Sequence, residues 1–113
     1  MYVRIVTFTL DGPVEAALAY RRHAAEIAPA FLDWPGLIAK VWLAEPATRT
    51  YGGVYLFTGR AAADRSRETD LFRGLAANPA FADLTVREFD TLEAPTSVTA
   101  AAVGPVGVSG GAA

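Results

Sequence analysis

Residues 35–57 read PGLIAKVWLAEPATRTYGGVYLF. Two runs rich in β-branched and aromatic residues, 37–45 and 51–57, flank a polar link containing Pro46 and Thr48-Arg49-Thr50. A strand, a turn and a second strand is the natural reading, with the strands antiparallel. Strand side chains alternate between the two faces of a sheet. One face of this hairpin then carries Ile38, Lys40, Trp42, Tyr51, Gly53, Tyr55 and Phe57. The other carries Leu37, Ala39, Val41, Leu43, Gly52, Val54 and Leu56. The first face is aromatic with polar handles on its rings, and the second is aliphatic.

Working outward, residues 2–10 alternate in the same way and stop at Asp11-Gly12-Pro13, a strong turn signal. From Val14 the apolar residues recur at helical spacing, with Glu15, Arg22, His23 and Glu26 on the opposite side. Pro29 is expected to end or kink that helix near Ala28. Beyond the hairpin, 60–77 reads as a second helix broken by Asn78-Pro79, 80–84 as a short turn, and 85–92 as a fourth strand. The order β-α-β-β-α-β predicts an α+β, ferredoxin-like fold, with a four-stranded antiparallel sheet and both helices on one face. The other face is left bare. With rings such as Trp42 or Tyr55 on it, that face exceeds the apolar patch of about 300–600 Å² that monomers tolerate. A homodimer, packed sheet to sheet, is therefore expected.

The 113 residues suffice for one core. Residues 1–98 are expected to form the domain, and 99–113 a flexible Gly/Ala-rich tail without charge. The formal net charge is −2, and Lys40 is the sole lysine among ten basic residues. No basic stripe points to nucleic acid. The chain has no cysteine and a single histidine, His23. That excludes disulfides, thiolate nucleophiles and a histidine-rich metal site within one chain. No apolar run reaches membrane-spanning length and no signal peptide is evident, so a cytoplasmic protein is the default.

Pro35-Gly36, Lys40-Val41-Trp42 and Gly52-Gly53-Val54-Tyr55-Leu56-Phe57-Thr58 resemble the YdhR family of mono-oxygenases. The Asp11-Gly12-Pro13 turn and the ending Phe89-Asp90, Glu93, Pro95 and Ser97 extend the resemblance over about residues 3–98. It implies the dimeric α/β-barrel superfamily, in which two ferredoxin-like halves pack sheet to sheet. It also implies a cofactor-independent mono-oxygenase acting on a small planar aromatic or polyketide-like substrate. The superfamily offers two alternatives: a non-redox cyclase, isomerase or dehydratase of natural-product biosynthesis, or a small-molecule-binding stress-response protein.

Phe8, Trp42, Tyr51, Tyr55, Phe57 and Phe72 are the expected lining of an apolar pocket, with the tyrosine hydroxyls orienting a planar substrate. The same rings equally suit a core or a dimer interface. Two polar residues fall inside apolar helical arcs. Arg21 lies among Leu18, Ala25 and Ala28, so its head either snorkels to the rim or donates into a pocket. Glu68, three residues from Arg65, is either paired with it on the surface or a general base facing the sheet. His23 is expected on the solvated side of its helix, and Trp34 over that helix's end.

Overall fold

The computed structural model describes residues 1–101. Strand β1 (Tyr2–Leu10) is followed by helix α1 (Glu15–Phe31), strands β2 (Leu37–Glu45) and β3 (Thr50–Phe57), helices α2 (Arg60–Ser66) and α3 (Asp70–Ala77), strand β4 (Phe81–Asp90) and helix α4 (Glu93–Thr99). The strands form one antiparallel sheet in the order β2-β3-β1-β4. This is the expected ferredoxin-like arrangement. Among the described residues no helix is long and apolar enough to cross a membrane.

Several boundaries differ from expectation. Helix α1 runs through Pro29 to Phe31. The ring costs one hydrogen bond near the end, where the last turn is closed instead by Leu32 N donating to Pro29 O at 3.1 Å and Trp34 N donating to Phe31 O at 3.1 Å. Burial of Phe31 and Trp34 anchors that turn, so Trp34 does cover the helix end. The expected second helix is two helices. Thr69 caps α3, its hydroxyl accepting from Phe72 N at 3.2 Å, and this competes with helix continuation through residues 67–69. Strand β4 begins at Phe81, taking in the expected turn at 80–84, with Asp83 at φ 53° and a register slip opposite Thr7 and Thr9. Residues 93–99 are helical. Residues 102–113, most of the expected tail, lie outside the described part.

The hairpin's parity is as read, except that a bulge between Leu37 and Ala39 puts Leu37, not Ile38, opposite Phe57. The face assignment is corrected. Tyr2, Arg4, Val6, Phe8 and Leu10 of β1 are the buried set, and Arg4 pairs with Tyr55, Val6 with Gly53, and Phe8 with Tyr51. Trp42, Tyr51, Tyr55 and Phe57 thus share the face that the helices cover. The bare face is aliphatic, with Val3, Ile5, Leu43, Val54 and Leu56 and with Val41 and Phe89 54% and 39% exposed. Alternation tells which residues share a face. Which face takes the helices is a tertiary matter, and large rings fill a sheet–helix layer better than they fill water.

Arg4 fastens the layers. Its guanidinium is fully buried, yet every arm is partnered: Nε donates to Glu88 at 2.6 Å, Nη1 to Ser66 Oγ at 2.8 Å and Nη2 to Ala63 O at 2.7 Å. Arg67 reaches the same Glu88 oxygen at 2.8 Å. One side chain of β1 thereby holds β4 and α2 together. Burial alone raises the Glu88 carboxyl, but the hydrogen bonds from Arg4 and Arg67 outweigh it and hold the group below its ordinary 4.5. A depressed carboxyl stabilises the fold above its unfolded-state value, and that contribution disappears as the pH falls through the folded-state value. Glu88→Leu should cost roughly 3–5 kcal/mol at pH 7, because it strands a buried cation. Adding Arg4→Met should recover much of that loss. Urea titrations should show this recovery, and a steep loss of wild-type stability below about pH 4.5 that the double variant lacks.

Candidate functional site

A cavity of about 320 Å³ lies between the sheet and helices α1 and α3. Its origin is visible in the hairpin. Gly52 and Gly53 lie side by side in β3, an interior strand. Gly52 approaches β1 so closely, at φ +157°, that a Cβ there would stand 1.8 Å from Val6 O. Gly53 falls on the ring-bearing face, where its missing side chain leaves space that Lys40 partly occupies. A Cβ on Gly53 would stand 2.9 Å from Lys40 Cε. Val6, Phe8, Lys40, Trp42, Tyr55 and Phe81 surround this gap on the sheet. Tyr20, Ala24, Ile27 and Phe31 of α1 form one wall, and Leu71, Phe72 and Leu75 of α3 the other.

The walls are held by ring contacts. Phe8 stacks on Phe81 with centroids 3.9 Å apart, and Tyr20 meets Phe8 edge-on at 5.7 Å. Phe31 meets Trp42 at 5.5 Å and 87°, while Trp34 stacks on Tyr55 at 5.8 Å. Such offset and edge-on pairs each add about 0.5–1.5 kcal/mol beyond burial, so the cavity is pre-formed. Its polar groups are few. His23, Asp70 and Asn78 line it from exposed positions on or beside the helices. Burial pushes the Tyr20 hydroxyl up to about 12 and raises that of Tyr55 further, so both phenols are donors at neutral pH.

Lys40 is the exception. Its ammonium nitrogen lies 3.3 Å from the Trp42 ring centroid, 3.7 Å from that of Phe31 and 4.6 Å from that of Tyr55. Among the described residues it has no ion pair and no side-chain hydrogen bond. Burial pushes its pKa from 10.5 down to about 7. The ring faces favour the charged form, by roughly 0.5–2 kcal/mol, which moderates the shift without cancelling it. The amine therefore gives up its proton below the ordinary lysine range.

Of the residues expected from sequence, Phe8, Trp42, Tyr55 and Phe72 come together around the cavity. Tyr51 instead faces a second, more open hollow of about 280 Å³, beyond Trp42, which it shares with Arg21. Phe57 is fully buried beneath the cavity, stacked on Tyr55 and Trp34. Arg21 is exposed, because the packed seam of α1 is Tyr20, Ala24, Ile27 and Phe31; Val14 and Leu18, expected on the apolar side, are open to solvent. His23 is exposed as expected, but it sits at the cavity's margin. Glu68 stands exposed in the link between α2 and α3, outside the cavity lining. It forms no ion pair with Arg65 among those of the described residues. Lys40 also lines the cavity, a position whose signal in the sequence is a lone lysine among rings on one strand face.

The sequence profile of the family described as "Putative mono-oxygenase ydhR" matches residues 3–102. No curated protein matches. Among solved structures, an antibiotic biosynthesis monooxygenase superposes with a TM-score of 0.66 at 20% identity, over 81% of this chain and 99% of that one. SnoaB, a cofactor-independent oxygenase from Streptomyces nogalater, gives 0.63 at 20% identity over 80% and 91% of the two chains. A protein of unknown function from Nitrosomonas europaea gives 0.66 at 22% over 82% and 90%. At these identities the likeness is one of fold.

The Lys40 environment has a measurable consequence. Between pH 7 and 10.5 the unfolded chain binds more protons at this site than the folded one, so stability at the site rises with pH across that window. The melting-temperature gain of Lys40→Met over wild type should be largest at or below pH 7 and shrink toward pH 10.5. A difference that does not change with pH would show the amine to be ordinary.

Proposed function

Because the chain belongs to the YdhR mono-oxygenase family, we propose that it oxygenates a small planar phenol, enol or polyketide-like ring system within the cavity between helices and sheet, without a cofactor. The observation that carries this reading is the cavity itself, closed by Phe8, Trp42, Tyr55 and Phe72 and polar at few points. Its volume lies at the lower end of the range of about 300–1,000 Å³ for ligand pockets, which favours a compact, flat substrate. Flat faces stack on the rings, and the protonated hydroxyls of Tyr20 and Tyr55 donate to a substrate oxygen. A substrate held this way loses a proton to become an electron-rich carbanion. The carbanion passes an electron to O2, and recombination forms a carbon–oxygen bond to a peroxide. Loss of water then leaves a carbonyl: a CH2 group and O2 become C=O and H2O. The residues' part is to bind, to orient and to exclude water from the carbanion.

Purified, metal-free protein should consume O2 with a dihydroxy-aromatic substrate and place 18O from 18O2 in the product carbonyl. Product formed equally well without O2 would instead favour a non-redox cyclase, isomerase or dehydratase. Binding without turnover across a panel of phenols would favour a sequestering protein. Gly74 lines the cavity from α3, and a Cβ there meets nothing within 4 Å. Gly74→Leu should therefore plug the cavity while leaving the fold at least as stable, since glycine inside a helix costs about 0.5–1 kcal/mol. It should lower kcat/KM by about tenfold or more, equivalent to roughly 1.4 kcal/mol of transition-state binding.

The bare aliphatic face supports pairing of two copies, sheet to sheet, which would hide Val41, Leu43, Val54 and Phe89. Sedimentation should give twice the chain mass. Val41→Glu, on the edge strand where the wild-type side chain is half exposed, should shift that mass toward the single chain with the helical signal intact.

A further inference from the structure

Lys40 is not used by the oxygenation scheme above, and its surroundings define what it can do. The side chain runs from β2 across the space left by Gly53, and three ring faces hold its nitrogen at the cavity wall. Ring faces attract a cation but offer no oxygen acceptor. The other titratable groups lining the cavity are Tyr20 and His23 of α1, Tyr55 of β3 and Asp70 of α3. The two tyrosines remain protonated, and His23 and Asp70 occupy exposed positions. From β1, Arg4 lies behind the Tyr55 ring, 5.8 Å from its centroid, already committed to Glu88, Ser66 and Ala63. Lys40 is thus a partly buried amine with no carboxylate within ion-pair distance among the described residues, an arrangement that favours an incoming anion.

We propose that the missing partner is the ligand: Lys40 accepts the proton of an acidic phenol or enol and then stays beside the resulting oxyanion as its counter-cation. The proposal rests on the cavity being the substrate site, and among the substrates named above it selects those whose phenol or enol O–H is acidic. The step balances within the site. The O–H bond breaks and an N–H bond forms at Lys40 Nζ. The negative charge is left on the ligand oxygen and delocalised into the ring carbon that meets O2. When the peroxide later loses its terminal oxygen, the ammonium supplies one proton and the breaking C–H bond at the peroxide carbon supplies the other, so that the O–O bond cleaves, the carbonyl forms and the oxygen leaves as water. The depressed amine pKa supports the assignment, because a base poised near the working pH serves both transfers. The ammonium also disfavours any ligand that brings a second cation.

The test uses the full chain and 4-nitrophenol, whose neutral and ionised forms absorb differently, with 4-nitroanisole as a ligand that cannot ionise. Because Lys40 is the sole lysine, lysine labelled at its terminal carbon and nitrogen gives one side-chain resonance to titrate. At pH 6 the wild type should bind nitrophenol as the coloured anion, and binding should move the Lys40 titration midpoint upward. Nitroanisole should leave that midpoint unmoved or lower it. Lys40→Met should bind the neutral phenol, roughly tenfold or more weaker. Lys40→Arg should retain the bound anion, since guanidinium keeps the charge, yet lose turnover because it takes up no proton. Equal binding of the same protonation state by wild type and Lys40→Met would overturn the proposal and leave the cavity reading standing. So would a lysine resonance indifferent to the bound anion, which needs no variant at all. Failure of both nitrophenol and nitroanisole to bind would overturn the cavity reading, and this proposal with it.

Discussion

A guanidinium stays charged wherever it is placed, so a buried one dictates its surroundings. Arg4 sits in the middle layer of this protein with no exposure to solvent. It needs an acceptor for each arm, and it takes them from β4 and from α2. Its Cζ also lies 4.9 Å from the Phe72 centroid and 5.1 Å from that of Phe57. Through these contacts it ties the last turn of α2, at Ala63 and Ser66, to the sheet. The Phe72 ring of α3, which helps close the cavity, lies against a cation that is not part of the cavity lining. The cost of desolvating such an ion is met only when the whole set is assembled, which makes the arrangement all-or-none.

The contrast with Lys40 explains how one layer serves both stability and a site. Both cations rise from the same face of the sheet, on β1 and β2, and both lie against rings. Arg4 is given a carboxylate and Lys40 is not. An amine, unlike a guanidinium, can escape burial of its charge by releasing a proton. The sheet therefore holds one fixed charge at its structural centre and one adjustable charge at the void. Tyr55 separates the two positions, in register with Arg4 on one side and Lys40 on the other, and Gly53, between Val6 and Trp42, leaves the void beside it.

The family match and the solved structures agree on a scaffold, and SnoaB shows that this scaffold can hold a cofactor-independent oxygenase. At about 20% identity the scaffold carries over and the chemistry does not follow from it. What particularises this chain is its cavity: the rings contributed by β1, β2, β3 and α3, the paired glycines, and the lone lysine.

Much of this was legible in the order of residues. The 35–57 hairpin, the alternation of 2–10 and the helical spacing after Val14 were enough for the β-α-β-β-α-β fold. Periods of two and of about 3.6 are local properties of the backbone, and the sequence displays them directly. Phe8, Trp42, Tyr55 and Phe72 were recognisable as cavity residues for a related reason, since large rings must be enclosed. Tertiary packing decided what no period encodes. It chose the ring-bearing face as the covered one, turned α1 so that Arg21 faces outward, cut the second helix at Thr69, and left Glu68 outside the cavity while bringing Lys40 into it. Each of these depends on which surface meets which, a relation between segments far apart in the chain. Strand parity and helical angle remain silent about it until the layers have closed.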